Sequence, residues 1–249
     1  MAKKTVLVTG GSSGIGLAVT RVLTEQDSWR VLAMSRDRDK QAEAKRSLGA
    51  AAENVEFISG DTCDVTSCNH IAEWIDHEFG RLDGLVNCAG TISVGGIEAE
   101  TLSGWHRVLE VNLTGTYILI HAVLPMMKRA PTASIVNISS VCSLRPCSSV
   151  AYSVSKAGLD MFTKCLAQEL ARYQIRVNAV NPGVVRSNLQ IAAGVVDDYE
   201  EFLKRMAPLY PLGRTGVPGD VAGMVRFLLS EEASWITGAI ISIDGGRAI

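Results

Sequence analysis

A phenol and an ammonium stand four residues apart in the stretch Y-S-V-S-K, from Tyr152 to Lys156. On a helix that spacing puts both side chains on one face, where the lysine charge favours the tyrosinate and lowers the phenol from its ordinary pKa of about 10. A tyrosine so placed can pass a proton near neutral pH. Alone, the pair reads as a surface or half-buried contact between two helix residues. Chemistry depends on which elements bring further reactive groups to the same place.

The composition restricts the setting. Of the 249 residues 47% are hydrophobic and 20% charged, with a formal net charge of −2. That is enough apolar side chain for a full-sized core and too little excess charge for a nucleic acid as the main partner. No Pro/Ser-rich or charge-run linker interrupts the pattern, so one domain over residues 1–249 is expected. The start, Met1-Ala2-Lys3-Lys4, runs into an apolar stretch too short to span a bilayer and lacks the features of a signal peptide. No membrane and a cytoplasmic address are the expectation. Cys63, Cys68, Cys88, Cys142, Cys147 and Cys165 form no C-x-x-C pair and adjoin no histidine pair, so reduced, mostly buried thiols and no metal are expected.

Lys4 to Thr9 is a short β-branched apolar run, followed by G-G-S-S-G-I-G at 10–16 and then Leu17, Ala18, Val22 and Leu23 at helical spacing. In such a strand–turn–helix, Gly10, Gly14 and Gly16 let the backbone turn tightly and approach a bound group. Ser12, Ser13 and Ile15 then lie where helix N-terminal N–H groups attract a pyrophosphate. The spacing G-x-x-x-G-x-G differs from the G-x-G-x-x-G fingerprint, but the context is that of a dinucleotide site. The next strand, Arg30 to Met34, ends at Ser35-Arg36 with no carboxylate at its tip. A hydroxyl and a guanidinium there suit a 2′-phosphate, so the expected cofactor is NADP(H). Asp37 and Asp39 are close enough to pair with Arg36 or to bind a ribose themselves.

A third strand, Asn54 to Ser59, leads to Cys63-Asp64-Val65. Asp64 there either accepts from an adenine amino group or caps a helix beginning near Ser67. A fourth strand, Leu82 to Asn87, closes on Asn87-Cys88-Ala89-Gly90, small residues against which an adenosine can press. A long helix follows from about Thr101 to Pro125, with Asn112 among apolar neighbours and therefore in need of buried partners. Further strands, Ala133 to Ile138 and Ile175 to Val180, run into Ser139-Ser140 and Asn181-Pro182-Gly183. Residues 188–216 mix apolar and charged side chains in a way that suits amphipathic helices over a cleft, a substrate lid. A helix from Val221 to Leu229 and a strand from Ala239 to Ile243 complete the chain. Strands alternating with helices predict an α/β, Rossmann-like three-layer αβα sandwich with its crevice at the strands' carboxyl ends.

With these motifs placed, the chain resembles the short-chain dehydrogenase/reductase family over nearly its whole length. The matching segments are T-G-G-S-S-G-I-G at 9–16, C-D-V at 63–65, N-C-A-G at 87–90, V-N-L at 111–113 and N-I-S-S at 137–140. Y-S-V-S-K at 152–156, N-P-G at 181–183 and I-T-G-A-I-I-S-I-D-G-G at 236–246 complete the set. The resemblance implies a seven-stranded parallel sheet and a catalytic set of Asn112, Ser140, Tyr152 and Lys156. It implies a dinucleotide along Gly10 to Gly16, Ser35, Arg36, Asp64, Val65, Asn87, Ala89, Gly90, Tyr152, Lys156, Pro182, Gly183, Val185 and Ser187. The Ser-to-Tyr loop is one residue shorter than in most relatives, which leaves Ser139 as the rival of Ser140. Ser187 stands where relatives often carry threonine, and its hydroxyl can still serve a carboxamide.

The implied reaction is hydride transfer between NADPH and a carbonyl, with Tyr152 giving the proton, Ser140 holding the developing oxyanion, Lys156 on the ribose and Asn112 positioning a relay water. The partner would be a small carbonyl or alcohol: a 3-oxoacyl thioester, a steroid or retinoid, or a small carbonyl or sugar. A homo-oligomer, tetramer or dimer, follows from resemblance alone. A catalytically silent NADP(H)-binding subunit is the competing class, and it predicts a damaged catalytic set. Arg145 is read as facing solvent, the alternative being contact with an anionic substrate.

Overall fold

Apolar runs of four to eight residues bounded by turn residues suit strands buried on both faces, the condition of a parallel sheet covered by helices. The computed structural model of the chain describes residues 3–26, 28–187, 189, 194 and 198–249. Among them are β1 (Lys4–Thr9), β2 (Trp29–Ser35), β3 (Val55–Ser59), β4 (Gly84–Asn87), β5 (Ala133–Ile138), β6 (Ile175–Pro182) and β7 (Ile240–Ile243). All pair in parallel, in the order β3-β2-β1-β4-β5-β6-β7. The order reverses direction at β1, so the connections leaving β1 and β4 diverge and open a crevice at the carboxyl ends of these strands.

The helices are α1 (Gly14–Thr24), α2 (Arg38–Leu48), α3 (Val65–Phe79), α4 (Leu102–Leu109), α5 (Gly115–Met127), α6 (Val150–Leu170), α7 (Tyr199–Met206) and α8 (Pro218–Leu229). Alternate strand residues serve opposite layers. Leu7, Leu32, Leu85, Ile135 and Val177 pack with apolar residues of α3, α5 and α6 on one face. Val6, Val8, Val31, Val86, Val136 and Val180 pack with those of α1 and α8 on the other. This is the expected seven-stranded three-layer sandwich.

Three local differences bear on the site. The fourth strand begins at Gly84 rather than Leu82, because Asp83 turns its carboxylate back onto the Thr5 N–H (2.8 Å) and its own N–H onto the Thr5 carbonyl. The third helix starts at Val65 rather than near Ser67, because Asp64 is its N-cap. The expected long helix is interrupted between α4 and α5 by a π-turn, Glu110–Thr114, in which the Gly115 N–H reaches back to the Glu110 carbonyl. Such turns loosen the helical ladder, and this one carries Asn112. The path Leu102–Met127 is long and apolar enough to cross a membrane by length and composition, but in this fold Leu119, Val123 and Met127 are fully buried in the core layer shared with α3. Of the expected lid, residues 188, 190–193 and 195–197 lie outside the described residues. The part that follows forms α7, which carries Phe202 and Met206 to the crevice.

Candidate active site

The glycine turn works by absence of side chain. Gly10 has a φ of +64°, and a Cβ on Gly16 would lie 2.2 Å from the Gly10 carbonyl oxygen, so the turn closes only around glycine. Ser13 caps α1 without a side-chain hydrogen bond and no acid occupies the first turn, which leaves the helix N–H groups for an anion. Thr9, at the tip of β1, accepts the Cys88 and Ala89 N–H groups at 2.9 and 3.0 Å, fastening the two diverging strands on either side of the crevice. A cleft of about 720 Å³ runs along this line, with Gly10, Ser12, Ser13, Gly14 and Ile15 on its floor. Gly16 is a packing residue beneath it rather than part of the lining.

At one end the cleft is lined by Ser35, Arg36, Asp37 and Lys40. Asp37 caps α2, taking the Asp39 and Lys40 N–H groups at 3.0 Å each, so its carboxylate is already engaged. Arg36 pairs at 3.4 Å with Asp61, a contact open to solvent and weak enough to yield to a ligand. Two groups of residues expected along the cofactor lie outside this lining. Asp64 and Val65 do not line the cleft: Asp64 is exposed, with its carboxylate on the Thr66 N–H at 2.9 Å. β3 ends at Ser59, and the next three residues, Gly60, Asp61 and Thr62, are the ones that pass along the cleft. Asn87 is likewise absent from the lining. It is buried, with its amide donated to Asn137 at 2.9 Å, and Asn137 donates in turn to Thr163. Cys88, Ala89 and Gly90 do line the cleft, as do Pro182, Gly183, Val185 and Ser187 beyond β6.

At the centre, α6 begins where β5 ends. Ser149 caps α6, and the helix sets Tyr152 and Lys156 side by side with the ammonium 5.6 Å from the phenol ring centre. Both are almost wholly buried. Lys156 donates to the Ile138 carbonyl at 2.8 Å. Burial pushes this ammonium down to about 8, against the opposing pull of Cys88 and Asp160. The expected lowering of the phenol is not what the chain itself produces. Burial pushes Tyr152 up, and the neighbouring Ser140 hydroxyl acts the other way. Side-by-side placement was legible from spacing; the desolvation that outweighs it was not.

The two candidate serines separate cleanly. Ser139 donates its hydroxyl to the Lys156 carbonyl at 3.2 Å. Ser140 faces the phenol and caps a short 3₁₀ turn, Val141–Ser143, through the Cys142 N–H at 3.1 Å. Asn112 is brought close but not into the lining. Its amide is fully engaged, accepting the Thr91 N–H (2.8 Å) and donating to the Thr91 carbonyl (2.9 Å) and the Ser155 hydroxyl (3.0 Å).

The far end of the cleft is walled by Val141, Cys142, Cys147, Leu189, Phe202, Met206 and Tyr210. Arg145 lies there too, half-buried and donating to the Arg247 carbonyl at 2.9 Å rather than facing solvent. Among the described residues neither arginine is paired with a carboxylate. Asp61, Thr62 and Arg247 escaped the sequence reading. For Asp61 the available signal was its distance from the end of the third strand, which is shorter than that of Asp64. Among the described residues no cluster of His, Cys, Asp and Glu has the make-up of a metal site.

The fold and this arrangement define a dinucleotide-binding α/β oxidoreductase. Residues 10–248 match the family model described as Enoyl-(Acyl carrier protein) reductase. The chain is 33% identical over 250 residues to the 2,5-dichloro-2,5-cyclohexadiene-1,4-diol dehydrogenase LinX of Sphingobium indicum, covering 100% of this chain and 98% of that one. It is also 33% identical to the trans-4-hydroxycyclohexanecarboxylate dehydrogenase of Sinomonas cyclohexanicum, covering 99% and 93%. A Pseudomonas aeruginosa RhlG/NADP active-site complex superposes with a TM-score of 0.90 at 31% identity, covering 100% of this chain and 98% of that one. The chain belongs to the short-chain dehydrogenase/reductase family.

Because the Lys156 ammonium is pushed down to about 8, it is present below that pH and lost above it. A dinucleotide whose hydroxyls accept from this ammonium should bind with constant Kd from about pH 7 to about pH 8 and weaken by up to about tenfold per unit above. Fluorescence titration with NADPH checks this. Lys156→Met should bind more weakly throughout, with no slope in this range, and a slope that survives the substitution assigns the proton elsewhere.

Proposed function

We propose that the chain is an NADP(H)-dependent oxidoreductase that interconverts a secondary alcohol and its ketone, with Tyr152 as general acid and base. The observation that carries this reading is the convergence of the Tyr152 phenol, the Ser140 hydroxyl and the buried Lys156 ammonium at the carboxyl end of β5. Gly10 to Ile15, Ala89, Gly90, Pro182, Gly183, Val185 and Ser187 form the cradle for NADP(H), which when bound supplies the hydride to a carbonyl carbon or takes it from an alcohol. Tyr152, raised by burial, holds its proton at neutral pH and is set to donate it to a carbonyl oxygen. Ser140 donates to the same oxygen as charge develops there. Lys156 keeps two N–H groups beyond the one given to Ile138 that would hold ribose hydroxyls, and its charge lowers the cost of forming tyrosinate. With its amide engaged, Asn112 would serve a relay water only through its backbone carbonyl, which the Thr116 hydroxyl approaches at 3.4 Å.

The substrate we infer is a hydroxyl or ketone on a small ring. The far wall carries the apolar side chains of Val141, Leu189, Phe202 and Met206, and the two relatives described above are named for cyclohexane and cyclohexadiene alcohols. Arg145 and Arg247 favour ring compounds that also carry a carboxylate. Reduction of a 3-oxoacyl thioester is the second reading, favoured by the description of the family model. A panel containing cyclohexanol, trans-4-hydroxycyclohexanecarboxylate and acetoacetyl thioester, followed by NADPH absorbance, separates the two. On the active substrate Tyr152→Phe should lower kcat by roughly 10²- to 10⁴-fold with NADPH binding retained. Ser140→Ala should cost roughly 10²-fold and Ser139→Ala little. The reverse order for the serines would move the role to Ser139, and near-normal turnover by Tyr152→Phe would refute the scheme.

The preference for NADP(H) rests on Arg36 and Lys40, two cations at the adenosine end where Asp37 is held as a cap and Asp61 is the loosely paired acid. Arg36→Ala should raise the KM for NADPH by about tenfold or more and leave that for NADH nearly unchanged. An unchanged preference in that variant removes Arg36 as the selector.

The same reading extends to a homo-oligomer, dimer or tetramer. Tyr117 on α5 and Val154 and Met161 on α6 stand exposed and are available for contact between copies. Light scattering checks this part, which a monomeric mass at micromolar concentration excludes.

A further inference from the structure

The turn after β5, the end of β6 and the middle of α6 meet at one buried acid. Asp160 lies on α6, one helical turn beyond Lys156 and about two turns beyond Tyr152, and is almost wholly buried. One of its carboxylate oxygens accepts from the Asn181 amide at 2.9 Å and from the Ser143 hydroxyl. The same amide donates to the Ser143 hydroxyl at 2.7 Å, so the three side chains close a ring. Asn181 immediately precedes Pro182 and Gly183 of the cleft lining, and Ser143 is the last residue of the 3₁₀ turn that Ser140 caps.

Ser143 is tied to Ser140 as well. Its N–H donates to the Ser140 carbonyl at 3.0 Å and closes the turn, and its hydroxyl lies 2.7 Å from the same oxygen. A hydroxyl has one proton to give, and the carbonyl already holds an N–H, so the carboxylate is the stronger claimant. At the start of the turn the Ser140 hydroxyl accepts the Cys142 N–H. A three-residue turn has little stiffness of its own, so its orientation follows from what its last residue is fastened to.

Stability alone gives no reason for a carboxylate here. Removing one from water is costly, and among the described residues the other Asp160 oxygen has no hydrogen-bond partner. What the carboxylate does supply is a charge-assisted hydrogen bond, roughly twice as strong as a neutral one, at the residue that closes the serine turn.

We propose that Asp160 is a positioning residue of the catalytic site, which through Ser143 fixes the turn whose cap, Ser140, presents its hydroxyl to the reacting oxygen. The inference rests on the role given to Ser140 above. Because Tyr152 and Asp160 share α6, the phenol and the serine turn are referenced to one rigid element. Asp160 itself neither touches substrate nor moves a proton.

The test uses the intact protein and the active substrate of the panel above. Ser143→Ala removes the link and leaves the carboxylate in place. It should lower kcat by about tenfold with the Kd for NADPH within about twofold of the parent, the pattern of a misplaced rather than a missing oxyanion donor. In the absence of the Ser140 hydroxyl that loss should vanish, so Ser140→Ala/Ser143→Ala should turn over as slowly as Ser140→Ala alone. Asp160→Ala should reproduce the loss, and Asp160→Asn, which keeps an oxygen for both donors, should recover most of it. These are compared at about pH 6.5, where the Lys156 ammonium, pushed down to about 8, stays charged. Circular dichroism spectra matching the parent show that the variants fold, and Ser143→Ala carries the test if Asp160→Ala does not. Parent-like kcat in Ser143→Ala or Asp160→Ala overturns the proposal, as does an Asp160→Asn no better than Asp160→Ala. So does a Ser143→Ala loss that multiplies in full with that of Ser140→Ala. Parent-like turnover by Ser140→Ala overturns the role of Ser140 itself, which tells the two failures apart.

Discussion

A single buried ammonium ties the helix bearing the phenol to the strand bearing the serine. Lys156 has three N–H donors, of which the Ile138 carbonyl takes one at 2.8 Å. Removing such a charge from water is costly, and it is offset here by a carbonyl that accepts from it and by Asp160 within reach. Because Ile138 is the last residue of β5, that hydrogen bond docks α6 against the end of the strand. Docking in turn sets Tyr152 against Ser140. The depressed ammonium and the raised phenol are two results of the same burial. In both groups burial disfavours the charged form.

Around this dock the carboxyl end of the sheet is fastened by small polar side chains rather than by apolar packing. Thr9 holds the Cys88 and Ala89 N–H groups, Asn87 reaches Asn137, Asn137 reaches Thr163, and Asn112 clamps Thr91 on both its N–H and its carbonyl. Each satisfies a group that the parting strands would otherwise bury unpaired. The Asn181 amide and the Ser143 hydroxyl meet the buried Asp160 carboxylate, which anchors the turn carrying Cys142 to α6. The floor of the crevice is therefore fastened by hydrogen bonds, whereas α7 borders it with the side chains of Phe202 and Met206.

The layers and the strand order were legible because a covered parallel sheet reads as isolated apolar runs, and the glycine turn announces where the crevice opens. The catalytic pair was legible because helical spacing alone puts Tyr152 beside Lys156. What escaped is set by register and burial. Asp61 and Asp64 are both acids after a strand, and only the point where β3 stops decides which passes along the cleft and which caps α3. Asn87 closes a strand as expected, but a strand covered on both faces turns its side chain inward to Asn137. The phenol's direction of shift depends on desolvation, which no pattern in a sequence displays.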